Sequence, residues 1–251
     1  MNRILITGGR LRPNGYQLGE GKYYECAKLL RLDFATGDLE ELVAQDSGGE
    51  NFPDEFPNLE FTCACVDEGK IWIPTDTEIH LYSYPAIEQL QTYSHKCFHN
   101  IHSVAVKGNY LYVTSTGLDM VVVLNKHTGS IVNTINTEGK DTWHRFSPEI
   151  DYRKVHSTRP HDCHPNYVFW INGSPWVTRC TQEDAISLDD FSHRFDIAGG
   201  TGVAVHDGIV LADRIYFTLV DGSIVVVDSN SRQIVETIKL YEYEGFGGIR
   251  G

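Results

Sequence analysis

Hydrophobic residues along this chain fall in short runs broken by turn residues, with no helical periodicity of useful length. The clearest stretch is IHSVAVKGNYLYVTSTGLDMVVVLNKHTGSIVNTIN (101–136). Its four β-rich runs, SVAV, YLYVTS, MVVVLN and SIVNTI, are separated by KGN, TGLD and KHTG, which carry turn chemistry. HDGIVLADRIYFTLVDGSIVVVDSNSRQIVETIKL (206–240) repeats the plan with GIVLA, RIYFTL, SIVVVD and QIVETI. Weaker copies occupy 61–94 and 164–197. Repeated units of four short strands predict an all-β fold, a single closed β-propeller spanning 1–251 as one domain. Five four-stranded blades fit the length, with six as the alternative. A β-sandwich does not account for so regular a four-run unit.

The N-terminal stretch offers only RILITGG and KLLRLDFATGDLEELV, three strands where four are needed. The far end, GFGGIRG, is the expected source of the fourth, so that the first blade is closed by N- and C-terminal strands. Strings such as YLYVTSTGLDMVVVLNKHTGSIV resemble YVTN/NHL-type propeller repeats over Leu59 to Leu240. That resemblance implies an architecture and leaves the chemistry open.

Three long irregular stretches, Gly8–Cys26, Ala44–Asn58 and Glu138–Arg159, fall where b–c and d–a connections lie, on one face of the propeller. Long loops gathered on one face of a rigid scaffold predict a site there. The residues expected to open the innermost strands of blades two to five are Glu60, His102, His164 and His206, spaced 42, 62 and 42 residues apart. The larger gap contains Glu138–Arg159. Equivalent starts of innermost strands approach the axis, so these four predict a divalent metal site for Fe(II), Mn(II), Ni(II) or Zn(II), of which a resemblance to iron-bearing propellers favours Fe(II). His99 and His161, three residues before His102 and His164 in HNIH and HDCH, are the next candidates to line the pocket or orient ligands. Tyr152, Arg153, Arg159 and Asp162 are the expected substrate-facing groups, as proton donors or carboxylate clamps. Arg179 and Arg250 are further arginines within reach of the channel.

An axial histidine site resembles that of the carotenoid cleavage oxygenases, which are longer iron-bearing propellers with four histidines. The resemblance implies a metal-dependent enzyme acting on a small molecule at the top of the axis, with oxidative chemistry if iron binds. A zinc or manganese lyase or hydrolase is the alternative, and a non-catalytic interaction platform with structural histidines is the second. The net charge of −13 argues against nucleic acid and anionic membrane partners. No apolar h-region opens the chain and no run of 18 apolar residues interrupts it, so a cytoplasmic protein is expected. Six dispersed cysteines give no zinc-ribbon spacing or disulfide framework.

Overall fold

The computed structural model describes residues 3–198 and 200–240. Among them, nineteen strands form five antiparallel sheets. The first sheet holds β1 (Arg3–Leu11), β2 (Tyr24–Asp33) and β3 (Leu39–Gln45). The second holds β4 (Cys65–Asp67), β5 (Lys70–Pro74), β6 (Ile79–Ser83) and β7 (Gln89–Tyr93). The third comprises β8 (Ile101–Lys107), β9 (Tyr110–Ser115), β10 (Met120–Asn125) and β11 (Ile131–Asn136). The fourth comprises β12 (Pro165–Ile171), β13 (Ser174–Arg179), β14 (Asp184–Ser187) and β15 (Arg194–Asp196). The fifth comprises β16 (Val205–Leu211), β17 (Arg214–Leu219), β18 (Ser223–Asp228) and β19 (Ile234–Lys239). In each sheet the strands pair in sequence order, and the sheets are the blades of a five-bladed β-propeller. The expected fourth strand of the first blade, in GFGGIRG, lies outside the described residues.

Burial explains the composition of the runs. A blade's third strand has neighbours on both faces, so β10 is an unbroken apolar run, MVVVLN, buried over its first five residues. The outermost strands face solvent: β11 and β19 begin with exposed residues and carry the polar positions of their units. The chain divides into two units, Met1–Gly108 with Arg145–Arg159, and Asn109–His144 with Pro160–Gly251. The first has a core of Ala27, Leu29, Phe61, Ile71, Ile73 and Tyr82. The core of the second is aromatic, with Phe169, Trp176, Phe195 and Phe217 packed among Val205, Ile215 and Val227. No helix among the described residues is long and apolar enough to cross a membrane.

Two sequence expectations shift. The Gly8–Cys26 loop shortens to 12–23, because β1 and β2 stay paired from Arg3↔Asp33 to Leu11↔Tyr24. Gly9 marks a close backbone approach in the strand and not a loop: a Cβ there would lie 3.0 Å from Leu59 O and from Glu60 Cβ. The inner strand of the second blade opens later than Glu60. Phe61 N–H first bonds Gly8 O and Cys63 N–H bonds His102 O, with Thr62 N–H reaching Pro74 O at the end of β5, and the regular ladder with β5 begins at Cys65.

Candidate functional site

In the second unit the segment HDCH (161–164) enters β12 along a path set by one buried carboxylate. Asp119, in the turn between β9 and β10, is 1% exposed and left-handed at φ 53°. Its Oδ2 accepts from Asp162 N–H at 3.0 Å, and its Oδ1 from Cys163 N–H at 2.9 Å and His164 N–H at 2.8 Å. Three backbone donors on one carboxylate form a charge-assisted clamp. The clamp is itself held, since Thr137 N–H and Oγ1–H both donate to Asp119 O. The turn after β13 grips the same segment: Cys180 N–H donates to His164 O, Thr181 N–H to Cys163 O, and Gln182 Nε2 to Asp162 O at 2.8 Å. Held this way, His164 adopts φ 55°, a conformation that costs a non-glycine residue energy and that its surroundings must impose.

Beneath the segment lies a buried ion pair. Arg179 donates through Nε and Nη2 to the two oxygens of Asp184 at 2.8 and 2.6 Å, and through Nη1 to Thr137 O at 3.0 Å. Asp184 is completely buried. Burial also pushes the Cys163 thiol up to about 12. Two acceptors in the turn, Gln182 Oε1 and Glu183 Oε2, are buried with no hydrogen-bond partner among the described residues.

On this support the Nδ1 atoms of His161 and His164 face each other at 2.6 Å, with ring centroids 4.9 Å apart. Without a bridging ion one ring must donate its Nδ1–H to the other, because two bare lone pairs or two protons repel. His206, the second residue of β16, turns its Nδ1 to Asp207 Oδ1 at 2.9 Å, and its carbonyl accepts from Thr178 Oγ1 at 2.5 Å. Asn166 Nδ2 donates at 2.8 Å to the carbonyl of Val205, the residue before His206.

The remaining expected residues lie in the first unit. Asn58 Nδ2 donates both to Glu60 Oε1 at 2.9 Å and to Asp76 Oδ1 at 3.0 Å, so Glu60 is one of a bridged carboxylate pair. Burial, and after it repulsion from Glu60, holds Asp76 well above the ordinary carboxylate range. His102 is the second residue of β8 and half-buried, its carbonyl accepting from Cys63. The 145–159 part of the long loop binds other segments of this unit. Tyr152 is buried: its hydroxyl oxygen accepts from Ser147 N–H, and its ring meets Phe146 edge-on. Arg153 chelates Asp151 and donates to Ser94 Oγ and Asn51 Oδ1, while Arg159 pairs with Glu20. Gly21 admits the loop at close range, since a Cβ there would lie 1.8 Å from His156 O. His99 Nε2 lies 2.9 Å from Val155 O. Arg250 lies outside the described residues.

The structure thus joins His164 to His161, and places Asp162 with His164 on the Asp119 clamp. Among the described residues no group of three or more His, Cys, Asp or Glu side chains is gathered to hold a metal ion. Asp119 and Gln182 were not among the sequence candidates. Asp119 reads as ordinary turn chemistry in TSTGLDM, and nothing local announces that its carboxylate receives a segment 43 residues away.

No protein-family model matches the chain, and no curated protein matches it. Solved structures do. Saccharomyces cerevisiae Sqt1 superposes with a TM-score of 0.54 at 9% identity, over 95% of this chain and 58% of that one. The computationally designed protein Ika8 gives a TM-score of 0.47 at 13% identity, over 89% of this chain and 60% of that one. The chain therefore spans less than two thirds of the length of either, and the likeness to Sqt1 is one of fold alone.

Proposed function

We propose that this propeller is a metal-dependent enzyme acting on a small molecule, with a divalent transition metal bound by Nδ1 of His161 and His164. The carrying observation is the 2.6 Å approach of the two Nδ1 atoms on a clamped backbone. Nitrogens about 2.0–2.1 Å from one ion, at angles between a right angle and the tetrahedral one, lie roughly 2.8–3.4 Å apart, so a small ring rotation turns the pair into a chelate. The clamp at Asp119 supports the same reading, because it fixes the backbone of His164 and of the two residues before it ahead of any ion, which is what preorganisation requires. Two imidazoles leave positions open for water and substrate. Fe(II) held there would take O2 and substrate at those positions for oxidative chemistry; Zn(II) or Mn(II) would supply Lewis-acid chemistry and an activated water.

The test is elemental analysis of protein purified without a histidine tag, followed by titration of apoprotein with Fe(II), Zn(II) and Mn(II). One ion per chain is expected, with affinity falling at least tenfold in His161→Ala and in His164→Ala and unchanged in His127→Ala, an exposed turn residue. Protein free of metal that takes up none of the three ions overturns the reading.

A further inference from the structure

The turn between β18 and β19 holds an arginine where its own repeat favours glycine. In four blades the residue closing this turn donates its N–H to the carbonyl four residues back: Gly37 to Asp33, Ile87 to Ser83, Gly129 to Asn125 and Arg232 to Asp228. All four have positive φ, 77°, 60°, 72° and 60° respectively. Glycine enters that conformation freely and an L side chain does not, so backbone geometry gives no reason for arginine at position 232.

The side chain supplies a reason. The Arg232 guanidinium carbon sits 5.7 Å from the ring centroid of Phe195 and 6.0 Å from that of Trp176, over both rings. Those rings are 2% and 5% exposed, so they are fixed in the core and pin the guanidinium from one side. The guanidinium and the two rings together line a cavity of about 320 Å³, shared with the polar side chains of Asn172, Ser174, His193, Ser229 and Asn230. Among the described residues no carboxylate pairs with Arg232, in a chain of net charge −13. The nearest acid of its own turn, Asp228, is occupied: its Oδ1 accepts from Asn230 N–H, Ser231 N–H and Ser231 Oγ–H.

We propose that this cavity is a binding site for a small organic oxyanion, a carboxylate or phosphate held by the Arg232 fork, with His193 and the neighbouring amides and hydroxyls completing its shell. A pocket of this size lies at the small end of ligand sites, which fits a metabolite-sized anion. The site stands apart from HDCH in the sequence and does not depend on the metal reading.

The full-length protein titrated calorimetrically with succinate, and separately with inorganic phosphate, tests it against a chloride background. Saturable binding of at least one probe is expected, and the tighter probe tells carboxylate from phosphate. Arg232→Gly is the decisive variant, because glycine suits φ 60° and the protein should fold as well as the parent. It should weaken binding at least tenfold, Arg232→Lys less, and His164→Ala not at all. Binding of neither probe, or equal binding by parent and Arg232→Gly, overturns the proposal.

Discussion

Replacing Asp119 by alanine is the sharpest structural test of the clamp. The substitution leaves the N–H groups of Asp162, Cys163 and His164 without their acceptor, in a segment where Cys163 is fully buried. Each stranded donor costs about 1–3 kcal/mol, and some relaxation is certain, so we take about 3–5 kcal/mol for the three together. Alanine at φ 53° adds about 1 kcal/mol, since it lacks the local hydrogen bonding that lets aspartate occupy the left-handed region. For a chain of this size each kcal/mol moves the midpoint by about 2–4 °C, so Asp119→Ala should melt roughly 8–24 °C below the parent. Asp119→Asn keeps a neutral acceptor and tolerates the backbone; about 1–3 kcal/mol is expected. The assay is circular-dichroism melting at pH 7, with metal affinity measured on the same samples. A shift of less than about 4 °C for Asp119→Ala, or an asparagine variant less stable than the alanine one, would refute the clamp.

Further outcomes follow from the buried charges. Asp184→Ala should cost about 3–5 kcal/mol by leaving Arg179 buried without its partner, and Arg179→Leu combined with Asp184→Leu should cost less than the sum of the single changes in urea denaturation. Burial lowers His80 to about 4, outweighing Glu78 Oε2 at 3.5 Å from its Nε2. The unfolded chain then binds the His80 proton first as pH falls below about 6.5. Stability present above that value declines toward pH 4, by about 3 kcal/mol in all. His80→Gln should flatten that part of the pH–stability curve, and parallel curves for both proteins would contradict it. Burial pushes Cys97 up to about 11 and Cys163 up to about 12, so neither thiol should react with iodoacetamide at pH 7.5 until the protein is unfolded.

The strands were legible because blade burial writes itself into local pattern: apolar runs in the third strands β10 and β18, exposed and polar positions in the outer strands β11 and β19. Runs such as YLYVTS and RIYFTL coincide with β9 and β17. What failed to show were features decided by distant partners. GGR reads as loop, yet Gly8 and Gly9 pair with Lys28 and Ala27, and the missing side chain at Gly9 is explained only by Leu59 and Glu60 passing beside it. Repeat register identified His164 as a residue of interest, and the structure sets His161 Nδ1 beside its ring. A one-residue difference in entry to an inner strand turns a side chain to the other face, so a register read from spacing alone does not fix which groups meet. The H-x-x-H spacing of HDCH was the available signal for His161. Its force depends on Asp119, whose role no spacing rule reveals.

The most direct test of the metal-dependent reading is X-ray absorption at the metal edge on untagged protein, reconstituted with one equivalent of Zn(II) or Fe(II). A first shell containing at least two imidazole nitrogens at about 2.0–2.2 Å is predicted, with that imidazole contribution lost in the His161→Ala, His164→Ala double variant. A spectrum of oxygen ligands alone, or an imidazole shell unchanged in the double variant, would contradict the account.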